Sequence, residues 1–261
     1  MNYLQGQKFR GLNYNDKIYY CNTHDVNLFF DNINFTHDFV LVSHNSDGNI
    51  TDNPTRPFDA DVRKIPKNLK KWFGQNLNYE SEIIESLPIG LENSEWFPET
   101  RKIEKLFNIN STPKKIKNLV YLNLNIQNNP VVRQPIYDML KDMHYVTVEN
   151  GKNGQNFDGY LENIYNHNFV ICPEGNGIDT HRLWECLYVK TIPIVKKNIS
   201  YSFFEGKLPI LFVDSWEEIN EEFLIQEKIK IESNLEKNIY DLNILSFDFW
   251  ENLINLEIKK L

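Results

Sequence analysis

The chain has only three cysteines in 261 residues, Cys21, Cys172 and Cys186. They are too few and too scattered for a disulfide framework, and no CxxC pair offers a zinc site. Long apolar runs are missing as well. No segment approaches the roughly 18 apolar residues that a membrane-crossing helix needs, and no basic stretch with an apolar core opens the chain. A cytoplasmic protein without a membrane span is therefore expected. Positive charge is in deficit: 28 Lys and Arg stand against 36 Asp and Glu, a formal charge of −8. A surface of that sign repels a phosphate backbone, and the cluster Lys64, Lys67, Lys70 and Lys71 is interrupted by Pro66. Nucleic acid is thus excluded as a partner. No repeat or low-complexity tract appears. With 41% hydrophobic and 25% charged residues, the composition is that of a globular domain.

The pattern that is present changes character along the chain. In the first half, short apolar runs alternate with Asn, Asp and Pro. Residues 17–21 and 38–43 read as strands, the second covered on both faces because four apolar residues follow one another. Residues 70–74 and 83–89 are shorter strand candidates. From residue 115 the rhythm becomes regular. Strands are expected at 118–124, 145–148, 169–172, 192–195 and 210–213. Helices are expected at 130–142, 157–165 and 179–189, then after Ser215 and at 244–260. Strands alternating with helices of about ten residues predict a parallel α/β sheet of Rossmann type. Pro98, Asn108, Asn110 and Pro113 interrupt the pattern between the halves. They divide an acceptor-side α/β unit, residues 1–110, from a nucleotide-binding unit with a C-terminal helix, residues 111–261.

The most informative stretch runs from Phe169 to Glu185. A buried strand ends at Cys172, the chain turns through Gly175 and Gly177, and a helix opens at Asp179 or Thr180. Ligands of open α/β sheets bind at this end of the strands. The two glycines permit positive φ and close approach of a ligand, and the N–H groups of the following helix favour a diphosphate. Arg182 would pair with a phosphate oxygen. Glu185, on the same helix face, would accept the ribose hydroxyls. On spacing alone, a plain strand–turn–helix with a surface Arg182–Glu185 ion pair is an equal reading. The dinucleotide fingerprint is absent, since the third glycine is missing and the acidic residue comes too soon.

Residues 169–195 resemble the nucleotide-sugar-binding motif of exostosin-like glycosyltransferases. A strand is followed by Pro173, Gly175, Gly177 and Asp179 at alternate positions, then by His181, Arg182, Trp184 and Glu185 on a helix, and by a second strand from Thr191 to Val195. A weaker likeness covers residues 119–137, where Asn123 and Asn125 precede Arg133 at the opening of a helix. The segments 72–76 and 87–93 are similar to the smaller soluble members. The resemblance implies a GT-B fold, two Rossmann-like domains facing a cleft, and an inverting, metal-independent transfer from a nucleotide-sugar to a glycan. It favours UDP-sugar as donor and implies no cofactor. By position, Arg133 and Arg182 would bind phosphates and Glu185 the ribose. Asn125, Pro173, Glu174, Gly175, Asn176, Gly177 and Asp179 would line the donor. The short N-terminal half departs from the family, as does Lys190 where a glycine is expected.

Inverting transfer needs a base for the acceptor hydroxyl. The polar turn after the strand at 38–43 offers Asp47 first and His44 second, although the same residues form turns for local reasons. His24, Asp25 and Asn76 are the candidates for contact with the acceptor. Asp59 and Asp61 have DxD spacing but read as a surface loop. His181 and Glu185 stand four apart without a third ligand, so no metal is expected. Two other classes remain: a non-catalytic nucleotide- or sugar-binding module, and a Rossmann enzyme that modifies nucleotide-sugars. The second would need an N-terminal glycine cluster that this sequence lacks.

Overall fold

The computed structural model describes residues 2–12, 16–34, 36–95, 101–150 and 157–261. Pro98, one of the breaks between the halves, lies outside the described residues. The first half contains α1 (Gly6–Phe9), β1 (Ile18–Asn22), α2 (Val26–Asn32) and β2 (Phe39–His44). The short pair β3 (Ile50–Thr51) and β4 (Ala60–Asp61) follows, then β5 (Leu69–Gly74), β6 (Ile84–Ser86) and α3 (Arg101–Asn108). The second half runs β7 (Asn118–Leu124), α4 (Pro130–Leu140), β8 (Val146–Asn150), α5 (Phe157–Tyr165) and β9 (His167–Ile171). It ends with α6 (His181–Tyr188), β10 (Ile192–Lys196), β11 (Leu211–Val213), α7 (Glu221–Glu236) and α8 (Phe247–Ile258).

Two parallel sheets result, ordered β1-β2-β5-β6 and β11-β10-β9-β7-β8. The protein is therefore α/β with two Rossmann-like sheets. The strand at 83–89 shortens to β6, and the helix after Ser215 becomes a 3₁₀ turn followed by α7. Local chemistry accounts for that break. Ser215 and Glu218 close a capping box on the turn, while Asn220 restarts the helix by accepting from the Phe223 N–H at 3.0 Å.

Strand periodicity divides the core into three layers. On β2, Phe39 and Leu41 face an outer cluster with Val26, Phe30 and Trp72. On β9, Phe169 and Ile171 face another outer cluster with Ile136, Ile194 and Leu224. The alternate residues, Val40 and Val42 from β2 and Val170 from β9, point into one central cluster shared by both halves. The sequence separates two units. The structure joins them through this layer, and α8, grouped by sequence with the second unit, packs against β2 of the first. Phe247 packs against Phe9 with ring centroids 5.2 Å apart. Among the described residues, no helix is long and apolar enough to cross a membrane.

Trp250 on α8 is fully buried in the shared layer, and its Nε1 donates to the Ile244 carbonyl at 2.9 Å. Trp250→Ala should lower the unfolding free energy by about 3–5 kcal/mol, as large aromatic truncations do. The shift of the urea midpoint measures it.

Candidate functional site

In the second sheet the chain leaves β7 for β8 on one flank and returns to β9 on the other. This reversal opens a crevice at the carboxyl ends of β7 and β9, where α/β sheets bind ligands. Arg133 ties its walls together. Its Nε donates to the Glu174 carbonyl at 2.8 Å and one Nη to the Asn125 carbonyl at 2.9 Å, and Asn129 Nδ2 reaches the Gly175 carbonyl at 3.1 Å. Neither loop glycine has a positive φ. Each is present for space. A Cβ at Gly175 would lie 2.8 Å from an Arg133 Nη, and one at Gly177 would lie 2.7 Å from Asn76 Nδ2.

The cleft built on this crevice has a volume of about 680 Å³ and extends to the first half, a size suited to a small-molecule ligand. Arg133, Arg182, Glu185, Asn125 and the loop 175–177 line it together. Burial, with the charge of Arg182, lowers the Arg133 guanidinium to about 10. No carboxylate lies within ion-pair distance of either guanidinium among the described residues, so the surface Arg182–Glu185 pair does not form. Arg182 Nε instead lies 3.4 Å from the Tyr160 hydroxyl, which donates to Glu185 at 2.7 Å. Burial and the Glu185 charge raise the Tyr160 phenol far above its ordinary range. Two buried polar atoms on this wall, Asn125 Oδ1 and Thr180 Oγ1, have no hydrogen-bond partner. Thr180 sits at the N-cap of α6 without capping it. Both atoms are available to a ligand.

Other sequence candidates take different places. Pro173 and Glu174 line a separate cavity of about 280 Å³ with Trp216 and Lys196. Asp179 is buried, and its carboxylate accepts from Ile89 N–H at 2.7 Å, Thr180 N–H at 2.8 Å and Trp184 Nε1 at 2.9 Å. Asn76 is also buried. Its Oδ1 accepts from the Asp179 N–H at 2.9 Å and its Nδ2 donates to the Ser46 carbonyl at 3.1 Å, so it joins the halves. His24 and Asp25 form an exposed ion pair at 3.4 Å and do not line the cleft. Asp59 is no surface residue. Its buried carboxylate collects the N–H groups of Asn49, Thr55 and Arg56.

Of the two candidate bases, Asp47 is exposed and lines the cleft. His44 is 1% exposed. Its Nδ1 accepts from the Asn45 N–H at 2.7 Å, which leaves Nε2 to donate to the Pro88 carbonyl at 3.0 Å. Both ring nitrogens are thereby occupied. Two further residues complete the wall, His181, which the motif carries without a role, and Glu92, to which the sequence assigns none. Both line the cleft. His181 Nδ1 donates to the Gly90 carbonyl at 2.7 Å and its Nε2 lies 3.2 Å from Glu92. Burial works against the charged ring, but the Glu92 carboxylate outweighs it and raises the His181 pKa. Tyr160 was missed as well, because a tyrosine in a helix carries no motif.

Burial holds His44 neutral and lowers its pKa to about 4, against an ordinary 6.5. Between those values the unfolded chain binds the proton and the folded chain does not. Stability therefore falls from this source as pH drops from about 6.5 toward 4. His44→Gln should lose less stability than the wild type between pH 7 and pH 4.5, compared by urea midpoints.

No protein-family model matches the sequence, and no curated protein matches it. Among solved structures the chain is similar to a crystal structure of an α1,3-fucosyltransferase with GDP-fucose, at 16% identity and a TM-score of 0.38. The match covers 79% of this chain and 68% of that one. At that level the likeness assigns no residue or activity here.

Proposed function

We propose that the protein is an inverting, metal-independent glycosyltransferase of GT-B type that moves a sugar from a nucleoside-diphosphate donor, a UDP-sugar, to a glycan hydroxyl. Residues 1–110 carry the acceptor side and residues 111–261 the donor side. The observation that supports this reading best is the pair Arg133 and Arg182. Two guanidiniums share one partly dry cleft, repel each other, and make no direct ion pair among the described residues; Arg182 reaches the Glu185 carboxylate only through the Tyr160 hydroxyl. Desolvated cations are costly without a partner, and a diphosphate supplies one with the right charge and reach. Glu185, fixed by Tyr160, is positioned to accept ribose hydroxyls.

In the reaction Asp47 takes the proton of the acceptor hydroxyl. The oxygen bonds to the anomeric carbon from the face opposite the diphosphate, and the bond from that carbon to the diphosphate oxygen breaks. The diphosphate leaves with the electron pair, its charge held by Arg133 and Arg182. Glu92 suits the base role less well, since its carboxylate already serves His181.

A thermal-shift panel with UDP, GDP, CDP, ADP and NAD tests the donor site. A single diphosphate at 100 times its dissociation constant should raise the melting temperature by very roughly 5–10 °C. Glu185→Ala and Arg182→Gln should abolish the rise. A response to NAD alone would sink the reading. Asp47→Asn should keep the diphosphate response and lower sugar transfer by about 10²–10⁴-fold, and undiminished turnover would remove Asp47 from the base role.

A further inference from the structure

Beyond the donor cleft, the first half carries a second cavity of about 450 Å³, which shares Asp47, Glu92 and His181 with that cleft. Its remaining wall is almost wholly polar, from Asn45, Ser46, Gln75 and Asn93. Asn45 turns the chain out of β2 with a φ of 56°, a left-handed conformation that asparagine tolerates. Its side chain is locked between the Tyr20 hydroxyl at 2.6 Å and Asn93 Nδ2 at 2.8 Å. The wall is therefore rigid where it meets the donor cleft.

Some of its hydrogen-bonding capacity is unspent. Gln75 is 1% exposed, and its Oε1 accepts from the Asn45 N–H at 3.1 Å. Its Nε2 donates to nothing among the described residues. The Asp47 carboxylate has no side-chain partner among them either. An unused amide donor and an open carboxylate lining the same cavity suit a ligand that both accepts and donates hydrogen bonds. Vicinal hydroxyls of a sugar ring do so.

The charge of this cavity is opposite to that of the donor cleft. Asp47 and Glu92 line it with His181 as the one basic group, and no lysine or arginine lines it among the described residues. The nearby guanidiniums are already matched, Arg56 to Asp59 at 3.0 Å and Arg10 to Glu95 at 2.8 Å. An anion entering here would meet the open Asp47 carboxylate and a Glu92–His181 pair, with no free cation.

We propose that this cavity is the acceptor subsite, and that it takes a neutral or amine-bearing sugar residue and rejects an anionic one. The proposal rests on the transferase reading and adds to it the chemical class of the acceptor. Gln75 donates to a ring hydroxyl, Asp47 accepts from the hydroxyl that reacts, and the unpaired charge of Asp47 sets the charge preference.

Calorimetric titration of the full chain with three disaccharides tests this, with and without UDP. The probes are N,N′-diacetylchitobiose, which is neutral, chitobiose with two free amines, and digalacturonate with two carboxylates. The neutral and amine-bearing probes should bind the wild type, and digalacturonate at least tenfold more weakly. Asp47→Lys, a change at an exposed position, should reverse the order of chitobiose and digalacturonate. Equal binding of all three, binding of none, or an unchanged order in Asp47→Lys overturns the proposal. A diphosphate thermal shift without disaccharide selectivity would defeat this inference alone. Selectivity without any diphosphate shift would defeat the transferase reading and leave a sugar site.

Discussion

The carboxylate of Asp179 is the point on which the two halves of the molecule meet. It projects from the loop after β9, yet one of its partners, the Ile89 N–H, belongs to the first half. Burial pushes its pKa up to about 6, against the pull of the N–H groups that surround it. Such a group is stable only while its partners stay in place, because a buried carboxylate stripped of one donor bears the full cost of desolvation. The same junction is tied again by Asn76 to the Asp179 N–H, by His181 to the Gly90 carbonyl, and by Arg56 to the carbonyls of Asn176 and Asp47. Above the shared apolar layer, the two walls of the cleft are thus held by polar contacts of fixed direction. These set the distance between the guanidiniums of one wall and the carboxylates of the other.

That separation of charge gives the cleft a direction. Arg133 and Arg182, with Glu185 held by Tyr160, lie on the second half, while Asp47 and Glu92 lie where the first half faces them. With low-dielectric walls, fields of opposite sign in neighbouring regions are focused rather than averaged. In the proposed reaction the anionic end of the donor would lie toward Arg133 and Arg182. The orientation requires no moving part, since the charged groups are positioned by backbone carbonyls and by each other.

Much of this arrangement was legible in the sequence, unevenly. The regular alternation after residue 115 identified β7 to β11 and the helices between them, because buried parallel strands leave short apolar runs with clear ends. The loop from Cys172 to Arg182 stands out in the sequence because its residue types follow a buried strand, and the structure places Gly175, Asn176, Gly177 and Arg182 on the cleft. The first half was harder. β3 and β4 are two residues each, too short for any period to register. The roles of Asn76, Asp179 and His44 were hidden for a different reason. Each looks like a polar loop residue in the sequence, and what makes it structural is a partner between 44 and 103 positions away. Glu92 and His181 stand 89 positions apart. Their pairing follows only from the way β6 and β9 end on the same side of the cleft.

For Gly175 and Gly177 the structure replaces one expected reason, positive φ, with another, space for a neighbouring side chain. Positive φ would make them turn-formers, replaceable wherever the turn survives. Instead, Gly175 leaves room for Arg133 and Gly177 leaves room for Asn76. One serves a cation that lines the cleft, and the other serves the latch between the halves. Substitution of either would displace a neighbouring side chain before it strained the backbone. Arg133 is in turn aimed by the carbonyls of Asn125 and Glu174, so the loop after β7 and the loop after β9 hold the guanidinium jointly. Loop order and the aim of Arg133 therefore depend on the same few contacts, and a side chain added at Gly175 would disturb both at once, because it would meet the Arg133 guanidinium.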